Sequence, residues 1–569
     1  MRIQLRRRYF PLFLVSCLIG SSIGALEGRV LIEYDPPQPT TIEKSAKQTI
    51  QTYLRTHQAE LSLSADLSNI RLDSKQTSLL GDHYRFIYIS NDQPAIEIAD
   101  SALIVSVHPN GSVYRLFASP PEAKLVTTFH KMSPLTEQQA YDIAWKALKV
   151  HGSLLEAPQS SLEYLLVDGK LRKTYKVTLA VSAPFGYWKF WIDVYTHQIV
   201  KREEARLTRH PKQDLVPQIR IYSGQTTNRQ RAFFEYSHRN LIAPEKQARA
   251  DGTALVFDPD PRTALQDPTL TKDSPKEAFL HAYVERPLRD LSFDGTLYSL
   301  KGPWIQIVDF EPPNTPPSVS ADGNWRHERD NNGFHDVMTY FHIDQSQRYI
   351  QSLGFTGAKA IQAGPIEVDS DGVNGEDNSH YVPGSNRISF GHGCVPDNED
   401  ADVILHEYAH ALQQSMDPQW GGGDMGAMGE GFGDYWAVVY SLSTEKGRDF
   451  ERFQVFNWDG PGCWPGRRVD KTELRYDASR HYYAHSPIEG GSSDELWSTP
   501  LVQSFVELQE TGHQADDINR LVLEAHFGLG PNASMRDLAG VIVHTARKMY
   551  RDPTFAEVFQ KHFVLHGIL

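Results

Sequence analysis

The spacing of apolar positions changes from helical to alternating twice within the first 200 residues. Residues 43–63 favour a helix. Beyond them His83-Tyr84-Arg85-Phe86-Ile87-Tyr88-Ile89 alternates, and residues 102–117 carry Pro109-Asn110-Gly111 between two β-branched runs, a hairpin signal. The second cycle opens at Ser133-Pro134-Leu135-Thr136. Ala140, Ile143, Ala144, Ala147 and Leu148 then fall on one helical face, and strands are predicted over 162–167, 171–181 and 187–194, with Asp168-Gly169 as the first turn. Each cycle predicts a small α+β module with a helix packed on antiparallel sheet. Residues 201–212 are charge-dense without an apolar period and read as a linker open to proteolytic nicking, with a maturation cut expected between about Val200 and Gln218.

The remainder repeats the change of period on a larger scale. Between 219 and 323, runs such as Leu255-Val256-Phe257 and Trp304-Ile305-Gln306-Ile307-Val308 are cut by Gly and Pro and predict β-rich structure. Helical spacing returns over 332–354, where Phe334, Val337, Met338, Phe341, Ile343 and Ile350 form an apolar side. A short strand at 366–368 precedes the acidic loop 369–377. Two helices follow closely, one capped by Asn398 or Asp400 and ending before Asp417-Pro418, the other over 429–442. Amphipathic stretches up to 506, over 518–527 and over 535–550 complete a helical end. The fold class is therefore α+β multidomain, with small modules at 43–120 and 133–200, a linker at 201–218, a β-rich part at 219–400 and a helical C-terminal part at 401–569.

Composition narrows the partners. A formal net charge of −14 opposes the phosphate backbone, and no basic run beyond the first eight residues offsets it, so nucleic acid is excluded. Arg2, Arg6, Arg7 and Arg8 precede an apolar run from Tyr9 to Ile23 and then Gly24-Ala25, which predicts a signal peptide over 1–25 and a secreted product. That run is shorter than the roughly 18 residues of a membrane span, and no transmembrane helix is expected. A periplasmic or lipid-anchored product is the alternative, through Cys17 in Leu14-Val15-Ser16-Cys17. Once Cys17 leaves with the signal, Cys394 and Cys463 remain as a candidate disulfide, the other reading being two unrelated thiols.

Candidate chemistry concentrates in Asp402-Val403-Ile404-Leu405-His406-Glu407-Tyr408-Ala409-His410. Histidines four residues apart share one helical face, where both imidazoles reach one metal ion with Glu407 beside it. A catalytic zinc takes three protein ligands and leaves a fourth position to water. Glu430, in Met428-Gly429-Glu430-Gly431-Phe432-Gly433-Asp434, is the expected third ligand. Asp434, one turn further, is the expected acceptor for the other ring proton of a ligand histidine, His406 first. Such a site is that of a zinc hydrolase with Glu407 as general base. His335 and His342 lack partners at ligand spacing and are assigned to the framework. The loop 369–377 makes Ca2+ a second candidate ion, but the EF-hand spacing is not met, and a solvated acidic turn is the simpler reading.

Nineteen residues separate His410 from Glu430, and Glu-x-x-x-Asp follows. With the HExxH helix this resembles the gluzincin metallopeptidases. Gly429-Glu430-Gly431-Phe432-Gly433-Asp434-Tyr435 resembles the Gly-Glu-Gly-Trp-Ser-Asp-Phe pattern of fungalysins, with Phe432 and Gly433 as departures. The module at 43–120 looks like the propeptide motif shared by fungalysin and thermolysin precursors, and that at 133–200 resembles the PepSY module. The resemblance implies a thermolysin-like catalytic unit and a prosegment that inhibits it and assists its folding. It also implies an edge strand in which Asn378 and Ser379 match an Asn-Ala pair that binds extended substrate through its main chain. A downstream histidine should stabilise the oxyanion; His485 is the first candidate and His481 the second. Arg467 or Arg468 is a candidate clamp for a substrate carbonyl or a carboxylate.

The expected product is thus a secreted zinc endopeptidase made as a zymogen, with protein or peptide substrates and its own propeptide as inhibitor. A zinc aminopeptidase is the second reading, although the segment before the HExxH helix lacks the Gly-Ala-Met-Glu-Asn-like motif that holds a free amine. A cell-surface adhesin on a dead protease fold is the third, and the intact Glu407 stands against it. The two N-terminal modules could instead be permanent binding domains.

Overall fold

The computed structural model describes residues 30–36, 46–121, 133–208, 248–421 and 423–569. The signal peptide expected at 1–25, the Cys17 motif and residues 209–218 of the expected processing region lie outside the described residues.

Helix α1 (Ala46–Thr56) lays Ile50, Tyr53 and Leu54 on strands β1 (Leu31–Tyr34), β2 (Ile70–Thr77), β3 (Asp82–Ile89), β4 (Glu97–Val107) and β5 (Val113–Ser119). Helix α2 (Glu137–Leu148) starts on a capping box in which Thr136 and Gln139 satisfy each other's backbone N–H. Its Ala140, Ala144 and Leu148 pack on β7 (Lys170–Ser182) and β8 (Phe185–Asp193), the strands that follow β6 (Gln159–Val167) in a meander. The two modules share one nine-stranded sheet, because β4 and β6 pair in parallel through Glu97↔Glu163 and Ile98↔Tyr164. The segment expected to be a linker begins instead as strand β9 (Ile199–Glu204), antiparallel to β8. Its charges are compatible with an edge strand because they lie over aromatic faces: Lys201 Nζ is 4.4 Å from the Trp191 ring centre, and the Arg202 guanidinium carbon is 4.4 Å from that of Trp188.

Strand β10 (Leu207–Thr208) leaves this sheet for another. The β-rich part consists of β11 (Ala248–Val256), β12 (Val284–Phe293), β13 (Tyr298–Ser299), β14 (Ile305–Ile307), β15 (Val319–Ser320) and β16 (Asn324–Trp325), followed by β17 (Ile366–Asp369), β18 (His380–Val382) and β19 (Arg387–Ser389). One sheet runs β15-β13-β12-β11-β16, and the other runs β10-β18-β19-β17-β14. Between and beyond them lie helices α3 (Asn332–Ser352), α4 (Ala401–Met416) and α5 (Asp424–Ser443), then α6 (Ser493–Glu510), α7 (Ala515–His526), α8 (Met535–Met549) and α9 (Thr554–Leu565). The α+β multidomain class holds. Helices α3, α4 and α5 are buried on nearly every side, which is why their apolar positions are not confined to one stripe. His342 and His335 fill framework positions, His342 Nε2 lying 3.0 Å from the Phe257 carbonyl and His335 Nε2 3.3 Å from Glu399.

The N-terminal sheet is docked by more than apolar contact. Ile104 of β4 and Phe117 of β5 belong to the main core. Glu524 on α7 accepts from the backbone N–H of Leu79 and Leu80 and from Ser78 Oγ, at 2.9, 3.1 and 2.5 Å. Arg85 is paired with Asp417, both buried, and Gln76 Nε2 donates to the Ser415 carbonyl at 2.8 Å. Cys394 and Cys463 form a disulfide that ties the approach to α4 to the loop after α5. No helix among the described residues is long and apolar enough to cross a membrane.

Candidate metal centre

Asp400 caps α4 by accepting from the Asp402 N–H at 2.9 Å, and its other oxygen receives the N–H groups of Trp458 and Asp459. The cap fixes where the helix begins and so which face carries His406 and His410. Their rings stand at 90° with centres 5.0 Å apart. On the neighbouring α5, Glu430 turns toward both, Oε2 lying 3.2 Å from His406 Nε2 and Oε1 3.4 Å from His410 Nε2. One donor atom from each of the three residues lies within 4.8 Å of the others, and all three side chains are buried.

Two nitrogens and a carboxylate in this arrangement can hold a divalent ion such as zinc. Apart from that 3.4 Å approach of Glu430, His410 Nε2 makes no hydrogen bond among the described residues although it is buried, and a metal ion would bind its lone pair. Burial pushes the Glu430 carboxyl well above its ordinary range, with Arg467 pulling the other way, and burial likewise holds the His410 imidazole well below its own. Glu407 is fully buried on α4 between the two histidines.

A second layer of side chains orients the first. Asp434 Oδ1 is 3.1 Å from His406 Nδ1, and Arg467 holds Asp434 through three contacts of 2.8–3.0 Å. Burial raises the Asp434 pKa to about 6, against the lowering effect of Arg467. Arg468 instead faces outward and pairs with Asp470. The glycine that departs from the fungalysin-like pattern has a steric reason: a Cβ on Gly433 would lie 2.4 Å from His406 Nδ1. Gly431 is constrained similarly by α6, since its Cβ would lie 2.6 Å from the Asp494 carbonyl oxygen. Gly433→Ala is expected to displace the His406 ring and weaken zinc binding by about 10–100-fold, as measured by competition with a chromophoric chelator. Unchanged affinity would show that α5 can move aside freely.

Across from the trio stands His485, in a left-handed backbone conformation with φ +60°. Asp494 holds it twice, Oδ1 accepting its backbone N–H at 2.9 Å and Oδ2 facing Nδ1 at 2.8 Å. Although burial alone would raise it, the His485 ring and Arg467 keep the Asp494 carboxyl below its usual range. His485 Nε2 is 3.8 Å from Glu430 Oε2 and 2.7 Å from the carbonyl oxygen of Thr208. His481 is exposed. Asp494 was not singled out by sequence reasoning, because an acid in the first turn of a helix is ordinary and its partner sits nine residues upstream in a loop. Asn378 and Ser379 precede β18: Asn378 Oδ1 accepts from the Ser379 N–H at 3.0 Å, and Ser379 Oγ donates inward to Asp397 at 2.5 Å. In the loop 369–377, Asp369 accepts the N–H groups of Phe310 and Glu311, while Asp371 receives Thr315 and Asn332, so these carboxylates already have protein partners.

No protein-family model matches the chain, and no curated protein matches it significantly. Among solved structures it is similar to the precursor of protealysin, a metalloproteinase from Serratia proteamaculans. That match has a TM-score of 0.35 and 13% identity and covers 46% of this chain and 87% of the other. It is also similar to the YpeB C-terminal domain of Bacillus megaterium, with a TM-score of 0.18 and 12% identity over 30% of this chain and 68% of the other.

Proposed function

We propose that the chain is the precursor of a zinc-dependent endopeptidase of the gluzincin type, nearest to the fungalysin-like enzymes, with residues 43–200 as its prosegment. The observation that carries the reading is the buried trio His406, His410 and Glu430, with Glu407 between the histidines and the Asp494-held His485 beside Glu430. The reading includes export behind the signal sequence at 1–25, for which the Cys394–Cys463 disulfide is suited.

Bound zinc would supply a polarising charge and a water acidified toward a pKa of about 7. The chain's own groups do the rest. Glu407 takes the proton from the attacking water and returns it to the leaving amine. His485 donates from Nε2 to the oxygen on which negative charge grows, and Asp494 holds that ring in place. Asp434, anchored by Arg467, keeps His406 oriented as a ligand. Substrate main chain lies along β18 as an added strand, the role proposed for the edge strand that follows Asn378 and Ser379.

The pairing of β10 with β18 favours an endopeptidase over an aminopeptidase. Leu207 opposes Tyr381 and Thr208 opposes His380, so the cleft admits chain on the amino side of the residue that faces His485. An aminopeptidase closes that side around a free amine. The test uses internally quenched peptides with both ends blocked, before and after zinc chelation. Chelator-sensitive cleavage is expected; cleavage only of peptides with a free amino terminus would make the enzyme an aminopeptidase, and no cleavage at all would sink the proposal.

A further inference from the structure

We propose that a cavity behind α4 and α5, the helices that carry the histidines and Glu430, is a binding site for a small organic cation, an apolar primary amine. The cavity encloses about 270 Å³ between α3, α4, α5 and α7, room for about nine groups of water's size. Gaps between packed helices are a common setting for small-molecule sites. Leu405 of α4 lines it, as does Val439, which lies about two and a half turns beyond Glu430 and so on the opposite face of α5. Tyr349, Trp436 and Tyr440 supply aromatic walls, and the Tyr349 and Trp436 ring centres are 6.2 Å apart with their planes tilted by 37°. Asp516, exposed in the first turn of α7, is the only charged residue in the lining among the described residues.

What the lining can still offer decides the chemistry of the occupant. Most of its donors are engaged within the protein. Tyr349 Oη donates to Asp516 Oδ1 and accepts from Asn519 Nδ2, both at 3.0 Å, and Tyr440 Oη donates to Asp258 at 2.5 Å. Trp436 Nε1 donates to Ser346 Oγ at 3.0 Å, and Ser443 Oγ donates to the Tyr440 carbonyl at 2.6 Å. Gln345 Nε2 donates to Tyr440 Oη at 2.6 Å and to His342 Nδ1 at 3.1 Å. Burial pushes the Tyr349 and Tyr440 hydroxyls above their ordinary range, so both stay protonated. The groups left over are chiefly acceptors: Asp516 Oδ2, Gln345 Oε1 and the electron-rich ring faces. An occupant must therefore bring the protons and the positive charge itself, on a body apolar enough to lie against Leu405, Val439 and the rings. No lysine, arginine or histidine among the described residues lines the cavity to compete with it, and Arg520 on α7 is engaged by Asp517 and the Leu353 carbonyl.

Calorimetric titration of the full chain with 2-phenylethylammonium chloride tests the site. Saturable binding with a Kd of about 1 mM or tighter is expected, and 2-phenylethanol, which has the same body without the charge, should bind at least about 10-fold more weakly. Asp516→Asn should weaken the amine by about 3–10-fold and leave the alcohol unchanged. Ala515→Trp, which puts a large side chain into the cavity from its rim, should abolish binding of both. Ala515 and Asp516 both lie outside the packed core in the first turn of α7, and an unchanged melting temperature shows that each variant is folded. Equal binding of amine and alcohol, binding of the amine unchanged in either variant, no binding below about 10 mM, or tighter binding of a blocked lysine peptide than of the free amine would each overturn the proposal. Neither substitution touches a residue assigned to catalysis, so the outcome is independent of the peptidase reading.

Discussion

Glu407→Gln is expected to lower kcat on blocked peptides by about 10²–10⁴-fold while leaving the fold and the zinc stoichiometry unchanged. Glutamine keeps the size and one carbonyl oxygen of the original side chain but cannot accept a proton from water at neutral pH. Glu407 is not among the three residues whose donor atoms converge, so its replacement leaves His406, His410 and Glu430 in place. It is fully buried in the middle of α4, where a substitution that changed volume would disturb packing as well as chemistry. The isosteric amide avoids that confusion. The measurement is steady-state kinetics together with metal analysis. Loss of kcat with zinc retained is the signature of a missing base, and loss of zinc together with kcat would recast Glu407 as part of the metal cradle. Full activity would remove the proposed mechanism.

How much of this was legible in the sequence depends on the distance over which each feature is encoded. His406, Glu407 and His410 sit within one helical turn and a residue, so the helical period alone places them, and Glu430 with Asp434 repeats the same local logic on α5. The charges of strand β9 suggest solvent when read locally, because the aromatic rings that accept them, Trp188 and Trp191, lie on another strand. The junction of β4 with β6 rests on two residue pairs across 66 positions, as in Glu97↔Glu163, and leaves no periodic trace. Helix α9 (Thr554–Leu565) leaves little local signal for a simpler reason: it follows Asp552-Pro553 directly and has no side-chain cap. Asp494 shows the same limit at the site, since its meaning comes only from the loop that brings His485 onto it.

The contact least visible in the sequence has the second largest expected effect. Arg85→Met should destabilise the zinc-free full chain by about 3–5 kcal/mol, because it leaves the buried Asp417 carboxylate without its cation. Burial already raises the Asp417 pKa, and Arg85, together with the Gln419 N–H, opposes that rise. Pairing Arg85→Met with Asp417→Leu should recover most of the loss, since a buried ion pair exchanged for apolar side chains is often neutral. Urea unfolding of the parent, both single variants and the double variant measures the coupling. A single-variant cost below about 1 kcal/mol would mean that water reaches the pair and that it behaves like a surface ion pair. The location makes the result informative about function. Asp417 and Gln419 lie on the loop between α4 and α5, the helices that carry the histidines and Glu430, and both contact Arg85. Gln76 reaches Ser415 at the end of α4 from the same sheet. The N-terminal sheet therefore grips the connection that sets the helix carrying the histidines against the one carrying Glu430, at a place separate from β10 and its contact with His485. Zinc affinity in Arg85→Met should fall along with stability, whereas a fall in stability with unchanged zinc affinity would confine the role of Arg85 to docking.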